Sequence, residues 1–220
     1  MAAPVGLTPT AVVDAAVAEL EAQGRIDAVG LRPVADRLGV RVQSLYAHVD
    51  GADGLRRALA LRGLDALADR LTEAAIGRAG PDAVGAIVRA YLDFAAEHPG
   101  LYDATLRPPG DDPEIGVAMA AVTRPLDLVL ASFGFDETDA IHWYRIIFST
   151  VHGFSVLRRD GNLTLDADPD ETAERIEAMF ARELDLARPT TTTTARKAPK
   201  AKPSPAAAAT PRAGRRSPRR

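Results

Sequence analysis

Helix start and stop signals recur along the whole chain, and they constrain its fold more than any other feature. Three segments each place a capping side chain before a proline at the first helical position: Thr8-Pro9, Asp112-Pro113 and Asp168-Pro169. Apolar residues recur at helical spacing between these signals, and no long alternating strand pattern occurs. The sequence therefore predicts an all-α protein of about nine helices, at about 8–24, 31–38, 42–48, 52–76, 80–98, 101–106, 113–133, 136–159 and 169–188.

Charge is spread unevenly along the 220 residues. The net charge is −3, but residues 190–220 contain nine basic residues and no acid, which leaves −12 for residues 1–189. This segment consists mostly of Thr, Pro, Ala, Lys and Arg, so it has little to bury and is predicted to be a disordered basic tail. A basic tail on an acidic body indicates contact with polyanions.

Several classes of protein are not expected. The absence of cysteine excludes disulfides and thiolate metal sites, and the four histidines show no metal-binding spacing. The sequence contains no nucleophile elbow, phosphate-binding glycine loop or His-Glu-x-x-His motif. No apolar run approaches a membrane span, and the N-terminus lacks the basic start of a signal peptide. We predict no catalytic residues, metal, cofactor or membrane partner, and a cytoplasmic protein.

The segment 31–49 contains two short helical patterns separated by a glycine turn. Ala35 is small enough for a close helix crossing, and Gly39 can adopt the positive φ of a tight turn. Val40 and Leu45 can fill the space between the two helices. These are the physical requirements of a helix-turn-helix, whose second helix enters the major groove of DNA. A leucine-rich helix pair of this kind also occurs in bundles that bind no DNA, so both interpretations stay open on spacing alone.

The second short helix carries side chains suited to DNA. Gln43 can pair with adenine through two hydrogen bonds, and Ser44 can bond to bases or phosphates. Tyr46 and His48 suit phosphate oxygens, which fix position without reading sequence. The candidate DNA-contacting residues are Arg32, Arg41, Gln43, Ser44, Tyr46, His48 and Arg56.

The amino-acid sequence of this segment resembles that of the TetR family of bacterial regulators. The family signature is matched by Ala35-Asp-Arg-Leu38-Gly39-Val40 and by Ser44-Leu45-Tyr46-Ala47-His48-Val49, and its next turn by Asp50-Gly51-Ala52-Asp53-Gly54-Leu55. The resemblance is dense over residues 8–60. One departure is Ala52, where the family often has a phosphate-contacting lysine; Arg56 or Arg57 is the alternative. Residues 1–60 hold six arginines against seven acids, a weak electrostatic footprint for DNA.

The resemblance implies a ligand-sensing, dimerising bundle after the DNA-binding part. Trp143 and His152-Gly153, together with Leu101-Tyr102, are similar to a subgroup whose C-terminal domain is named for Trp, His and Gly. Apolar walls with a few polar groups are typical of ligand pockets. The alternative is that this aromatic stripe is core, with His152 buried beside a close helix crossing at Gly153. The candidate ligand-binding residues are Phe94, Tyr102, Met119, Trp143, Ile147 and His152.

These observations together predict a sequence-specific transcription regulator. The resemblance implies a repressor that a small-molecule effector releases from operator DNA, and a homodimer with two-fold symmetry formed by the helices at 136–159 and 169–188. The predicted domains are 1–55 for DNA binding, 56–188 for ligand binding and dimerisation, and 189–220 for the tail. The alternative function is a helical scaffold or nucleoid-binding protein that contacts DNA through the tail alone.

Overall fold

The structure is a computed structural model that describes residues 6–108 and 110–189; the predicted tail at 190–220 lies outside these residues. Every regular element within them is helical, which confirms the predicted all-α fold. A 3-10 turn, Ile26–Ala28, was not predicted. The nine α-helices of the described part are α1 (Pro9–Gln23), α2 (Leu31–Leu38), α3 (Val42–Leu45), α4 (Gly51–Ala75), α5 (Gly80–Glu97), α6 (Pro99–Thr105), α7 (Pro113–Ser132), α8 (Glu137–Arg159) and α9 (Pro169–Leu186).

Side-chain caps begin the helices where the sequence predicts them. The Thr8 hydroxyl accepts a hydrogen bond from the Ala11 N–H at 3.1 Å. Asp112 accepts from two N–H groups of α7, and Asp168 accepts from the Asp170 N–H. Each cap satisfies backbone donors that the first helical turn leaves unpaired, and so fixes where the helix begins.

The helix α3 is shorter than predicted. The sequence pattern extends a helix to His48, but regular helix ends at Leu45. The N–H groups of His48 and Val49 both donate to the Leu45 carbonyl oxygen, at 2.9 and 3.0 Å. This tight turn ends the helix because it directs Val49 into the core.

The buried residues of the first three helices belong to the same hydrophobic core as those of the bundle. Val12, Leu20, Val34 and Leu45 are each fully buried. Gly39 joins α2 to α3 with a φ of +65°, a conformation that glycine adopts without strain. The predicted turn and the predicted buried position of Leu45 are therefore confirmed.

The helix α4 runs without a break across the predicted domain boundary at 55/56, and residues up to 189 form one compact unit. The division into a DNA-binding part and a bundle therefore stays a prediction. In the bundle, α5 is the central helix and packs against α4, α7, α8 and α9. Its buried side chains, including Ile87, Tyr91 and Phe94, form the middle of the core.

The helix α6 holds α1 against the bundle through backbone groups. A Cβ atom on Gly100 would lie 2.5 Å from the Leu20 carbonyl oxygen, so only glycine permits this approach. The N–H groups of Gly100 and Leu101 donate to the two carboxylate oxygens of Glu21, at 3.2 and 3.1 Å. The start of α6 and the end of α1 are thereby fixed to each other.

Asp103, also on α6, joins the 3-10 turn after α1 to α8. Its Oδ2 accepts from the Ile26 N–H at 2.8 Å, and its Oδ1 accepts from Arg159 Nη1 at 2.6 Å. The side chains of Asp103 and Arg159 are each only 12% exposed. One carboxylate therefore connects the turn after α1 with the last residue of α8.

The helix α7 is long and apolar. An 18-residue window within it has a mean hydropathy of 1.5, and 28% of that window is buried. Length and composition alone would let such a helix cross a membrane, but core helices pass the same test. Here α7 packs against α4 and buries Leu126 and Leu130. The absence of a membrane partner stays a prediction.

Candidate functional site

The surface formed by Arg41, Gln43, Ser44 and Tyr46, here called the reading surface, lies on and beside α3. All four side chains are exposed, and the Tyr46 side chain is 61% exposed. Leu45 between them is fully buried and anchors the helix to the core below. The segment therefore presents polar groups to the outside from a rigid base, as reading a DNA groove requires.

Most arginines near the reading surface are bound to carboxylates. Arg37 lies 3.3 Å from Glu19, whereas Arg32 makes only a long contact of 3.9 Å to Asp36 and its side chain is 86% exposed. Among the arginines up to residue 57, Arg41 has no carboxylate partner within the described part of the chain. Arg41 and Arg32 are thus the cations most available to a phosphate.

Arg57, one of the two alternatives to the lysine of the family, is bound to two carboxylates. Its guanidinium donates to Asp112 at 2.6 and 3.1 Å and to Glu114 at 2.6 Å, so it joins α4 to α7. The hydrogen bonds from Arg57 lower the pKa of Asp112 to about 2, and the same bonds raise the pKa of Arg57. Such charge-assisted pairs are strong and directional.

Arg56 is only partly available. Its Nη1 donates to Asp53 at 3.2 Å, and its buried Nε has no hydrogen-bond partner among the described residues. A phosphate contact by Arg56 requires that the guanidinium leave Asp53. His48, another candidate, is half-buried in the turn after α3. The contacts of these residues with DNA stay predictions.

A cavity of about 420 Å³ lies in the bundle, a volume typical of small-molecule sites. It is bounded by α4, α5, α7, α8, the last residue of α6 and the segment that follows it. A small apolar extension of about 30 Å³ shares four of its residues and continues towards Leu71, Leu126 and Val151. The residues lining the main cavity are Leu64, Leu67, Tyr91, Thr105, Leu106, Arg107, Pro108, Met119, Val122, Thr123, Tyr144, Phe148 and His152.

One wall of the cavity is aromatic. Tyr144, Phe148 and His152 lie on one side of α8, and neighbouring ring centroids are 6.0 and 5.7 Å apart. Their ring planes are within 12° of parallel. Tyr91 of α5 meets Phe148 edge-on at 6.4 Å. The three rings of α8 come together because residues four positions apart lie on the same helix face.

A chain of hydrogen bonds runs behind this wall. The Tyr91 hydroxyl donates to the Tyr102 oxygen at 3.3 Å, and the Tyr102 oxygen lies 2.7 Å from His152 Nδ1. With Tyr91 as donor, the proton of Tyr102 goes to Nδ1, and neutral His152 carries its own proton on Nε2. Burial lowers the pKa of His152 most, and the charge of Arg159 lowers it further, so the neutral form is favoured. Burial raises the pKa of both tyrosines, which therefore keep their protons.

The structure brings some of the candidate ligand residues together and separates others. Met119 and His152 line the cavity, Ile147 lines its extension, and Tyr102 supports His152 from behind. Phe94 is buried on another side of α5, where its ring contacts His98 at 5.4 Å. Trp143 packs against Phe135 at 6.2 Å. Phe94 and Trp143 are therefore outside this cavity, because their helix faces point to different neighbours.

The sequence analysis missed much of the lining. It followed the helical stripe of Trp143 and Ile147 and named His152, but it missed Tyr144 and Phe148, which line the cavity one position further along from that stripe. Arg107 was also missed because it lies in a loop without any periodic pattern. The spacing of four residues between the α8 rings was the signal that could have found them. The alternative of a close helix crossing at Gly153 is not met within the described part of the chain, because no other helix comes within 4 Å of a Cβ placed there.

Comparisons with known proteins agree with this architecture. The family model described as "Tetracyclin repressor-like, C-terminal domain" matches residues 84–180. An HTH-type transcriptional regulator from Mycobacterium tuberculosis is 36% identical over 172 residues, covering 77% of this chain and 78% of that protein.

Solved structures share the fold. A Rhodococcus protein of unknown function has a TM-score of 0.69 and 25% identity, covering 82% of this chain and 96% of that one. A TetR variant from Acinetobacter baumannii in complex with minocycline has a TM-score of 0.63 and 19% identity, covering 84% and 100%.

The helix-turn-helix, the bundle and these relatives define a DNA-binding transcription regulator. More particularly, the chain belongs to the TetR family. The predicted subgroup named for Trp, His and Gly stays a prediction.

Proposed function

We propose that this regulator is a repressor that leaves its operator when a small-molecule effector enters the cavity. TetR-family regulators bind operator DNA and a small molecule, and they act as dimers. The observation that carries the proposal is the position of α6 between the two sites. Tyr102 of α6 bonds to His152 in the cavity wall, and the next residue, Asp103, bonds to the Ile26 N–H beside α1.

An effector acts through this link only if it binds one arrangement of α6 better than another. A ligand that displaces His152 removes the acceptor of the Tyr102 hydroxyl, which is fully buried. The cost of leaving that hydroxyl unpaired favours a shift of α6. Because α6 is fixed to α1 through Glu21, the shift reaches the helices that carry the reading surface.

A two-fold dimer places two reading surfaces on one operator. Half-sites lie about 34–36 Å apart, one helical turn of DNA, or a multiple of it. In support of α8 and α9 as the interface, Ile146 and Leu157 of α8 and Met179 and Leu186 of α9 are exposed apolar residues. Gly153, between the two α8 residues, has open space beside it that a partner helix can fill.

We infer that the protein acts by binding, without catalysis, as a cytoplasmic and nucleoid-associated regulator. Its relatives are regulators, and the reading surface needs only DNA as partner. The competing function is a scaffold that contacts DNA through the basic tail alone. A tail contact is electrostatic and does not distinguish one DNA sequence from another.

A band-shift series with the full chain tests the function. The regulator should bind the DNA upstream of its own gene far more tightly than random DNA of equal length. Gln43→Ala should weaken binding to the upstream DNA by about tenfold to a hundredfold, since a base pair read through two hydrogen bonds contributes about 1–3 kcal/mol. Gln23→Ala, which changes an exposed glutamine of α1, is the matched control and should have no effect.

Equal affinity for upstream and random DNA would contradict specific regulation and favour binding through the tail.

Sedimentation of the same samples tests the dimer. A Gly153→Trp variant should sediment as a monomer, whereas the parent chain should sediment as a dimer. A parent chain that sediments as a monomer both alone and on DNA contradicts the proposed interface.

A further inference from the structure

The cavity has two chemically different walls. Tyr144, Phe148 and His152, stacked along α8, form the aromatic wall, while Leu64 and Leu67 of α4 contribute to the aliphatic wall. Its small extension is lined almost entirely by carbon. Aromatic rings pack favourably against one another in edge-on or offset arrangements, so this wall suits a ligand that carries an aromatic ring.

The cavity has one charged end. Arg107 and Pro108 are exposed where the cavity opens to solvent, as is Phe148 on the aromatic wall, and Arg107 is the charged residue of the lining. Within the described residues Arg107 has no carboxylate partner, although most other arginines of this part of the chain have one. A cation that lines a cavity without an internal counter-ion is available to an anionic ligand.

The other polar groups also favour a ligand that accepts hydrogen bonds. The hydroxyl protons of Thr105 and Thr123 are already used, because they donate to the carbonyl oxygens of Tyr102 and Ala120 at 2.7 and 3.1 Å. His152 offers the N–H of Nε2, since Nδ1 accepts from Tyr102. Among the described residues no Asp or Glu lines the cavity, so none of them neutralises a cationic ligand there.

We propose that the cavity binds a planar aromatic carboxylate, with its ring against Phe148 and its carboxylate directed to Arg107. The ring then lies between the aromatic and the aliphatic wall, and the charge stays at the open side, where it keeps part of its hydration. Charge-assisted bonds between a guanidinium and a carboxylate are stronger than neutral ones and can form in pairs. The role of this ligand as an effector rests on the proposed function; its binding to the cavity does not.

Calorimetric titration of the DNA-free full chain tests the ligand class. The probes are 2-naphthoate, 2-naphthamide, the cation 2-naphthylmethylammonium and decanoate, which separate charge from ring shape. We expect 2-naphthoate to bind most tightly, roughly tenfold more tightly than the amide, as loss of one charge-assisted pair predicts. Decanoate has the charge but not the planar ring, so it should bind more weakly than 2-naphthoate.

Variants locate the bound probe. Arg107→Gln should bring the affinity for 2-naphthoate down to that for 2-naphthamide and leave the amide unchanged. Arg107 is exposed, so this substitution does not disturb the core. Arg175→Gln, whose side chain is 80% exposed on α9, is the matched control and should bind like the parent chain. Phe148→Ala should weaken all three naphthyl probes together.

The outcomes that overturn the ligand class are distinct from failure of the proposed function. The class is wrong if the amide, the ammonium or decanoate binds as tightly as 2-naphthoate, if no probe binds more tightly than about 1 mM, or if Arg107→Gln changes nothing. The proposed function is tested separately by adding 2-naphthoate to the complex with upstream DNA. Binding to the free protein without release of DNA supports the ligand class and contradicts the proposed function.

Discussion

The reading surface and the cavity obtain their side chains in different ways. One short helix and the turns beside it supply the reading surface, all within a few residues of Gln43. Four long helices and a loop supply the cavity, from Leu64 to His152. The polar groups of the reading surface are exposed, whereas several cavity residues, among them Leu67 and Tyr91, are also part of the core packing. Substitutions should therefore separate function from stability at the first site and couple them at the second.

The largest effect should come from the residue below the reading surface. Leu45→Ala removes a fully buried side chain and should lower the free energy of unfolding by about 2–5 kcal/mol. Its exposed neighbour is the control: Gln43→Ala should leave the unfolding curve in denaturant unchanged while weakening DNA binding. A loss of stability in Gln43→Ala similar to that of Leu45→Ala would show that the reading surface is not separate from its core.

A smaller but still clear effect is expected where α6 meets α1. Gly100→Ala places a Cβ 2.5 Å from the Leu20 carbonyl oxygen, so backbone must move. We expect a loss of about 1–3 kcal/mol in unfolding free energy, together with weaker DNA binding.

Gly116→Ala is the matched control, because it lies inside α7 with open space beside it. It should stabilise the protein by about 0.5–1 kcal/mol, as alanine is the better helix former. Equal unfolding curves for the two variants would contradict the tight contact between α6 and α1.

Asp103→Asn tests the link between the two sites more gently. The amide keeps the size of the side chain but loses the charge that pairs with Arg159, and we expect a loss of about 1–2 kcal/mol in thermal or denaturant unfolding. The decisive measurement is how much a ligand bound in the cavity changes the affinity for DNA. This change should be smaller in Asp103→Asn than in the parent chain. Asp69→Asn, an exposed change on α4, should leave that effect as large as in the parent chain. An undiminished effect in Asp103→Asn would place the coupling elsewhere.

The smallest effect is expected from deleting the basic tail at residues 190–220, which lies outside the described residues. This deletion should leave the stability of the folded body unchanged. The DNA-binding part has a weak electrostatic footprint, so the tail is proposed to add affinity that does not depend on sequence. Deleting it should reduce the salt dependence of DNA binding, by a slope of about 0.9 for each phosphate that the tail neutralises in the full chain. A tail of equal length with glutamine in place of each Lys and Arg should behave like the deletion. An unchanged slope would mean that the tail does not touch DNA.

The reading segment could be predicted from the sequence because its determinants are local. Ala35, Gly39 and Leu45 are required by one turn and one helix crossing, and all three lie within a few residues of each other. The helix caps are local as well, which is why the starts of α1, α7 and α9 were predicted correctly. The length of α3 was not, since its end depends on how Val49 enters the core.

Only the tertiary structure decided which face of α8 lines the cavity. Neighbouring residues on a helix point about 100° apart, because one turn takes about 3.6 residues. The stripe with Ile147 and Val151 and the stripe with Phe148 and His152 are therefore equally regular in the sequence. The first packs into the core, and the second borders the cavity that α8 forms with α4, α5 and α7. The sequence by itself determined the helices and the reading segment; their packing determined the cavity, the place of Arg107 at its open side and the link through Asp103.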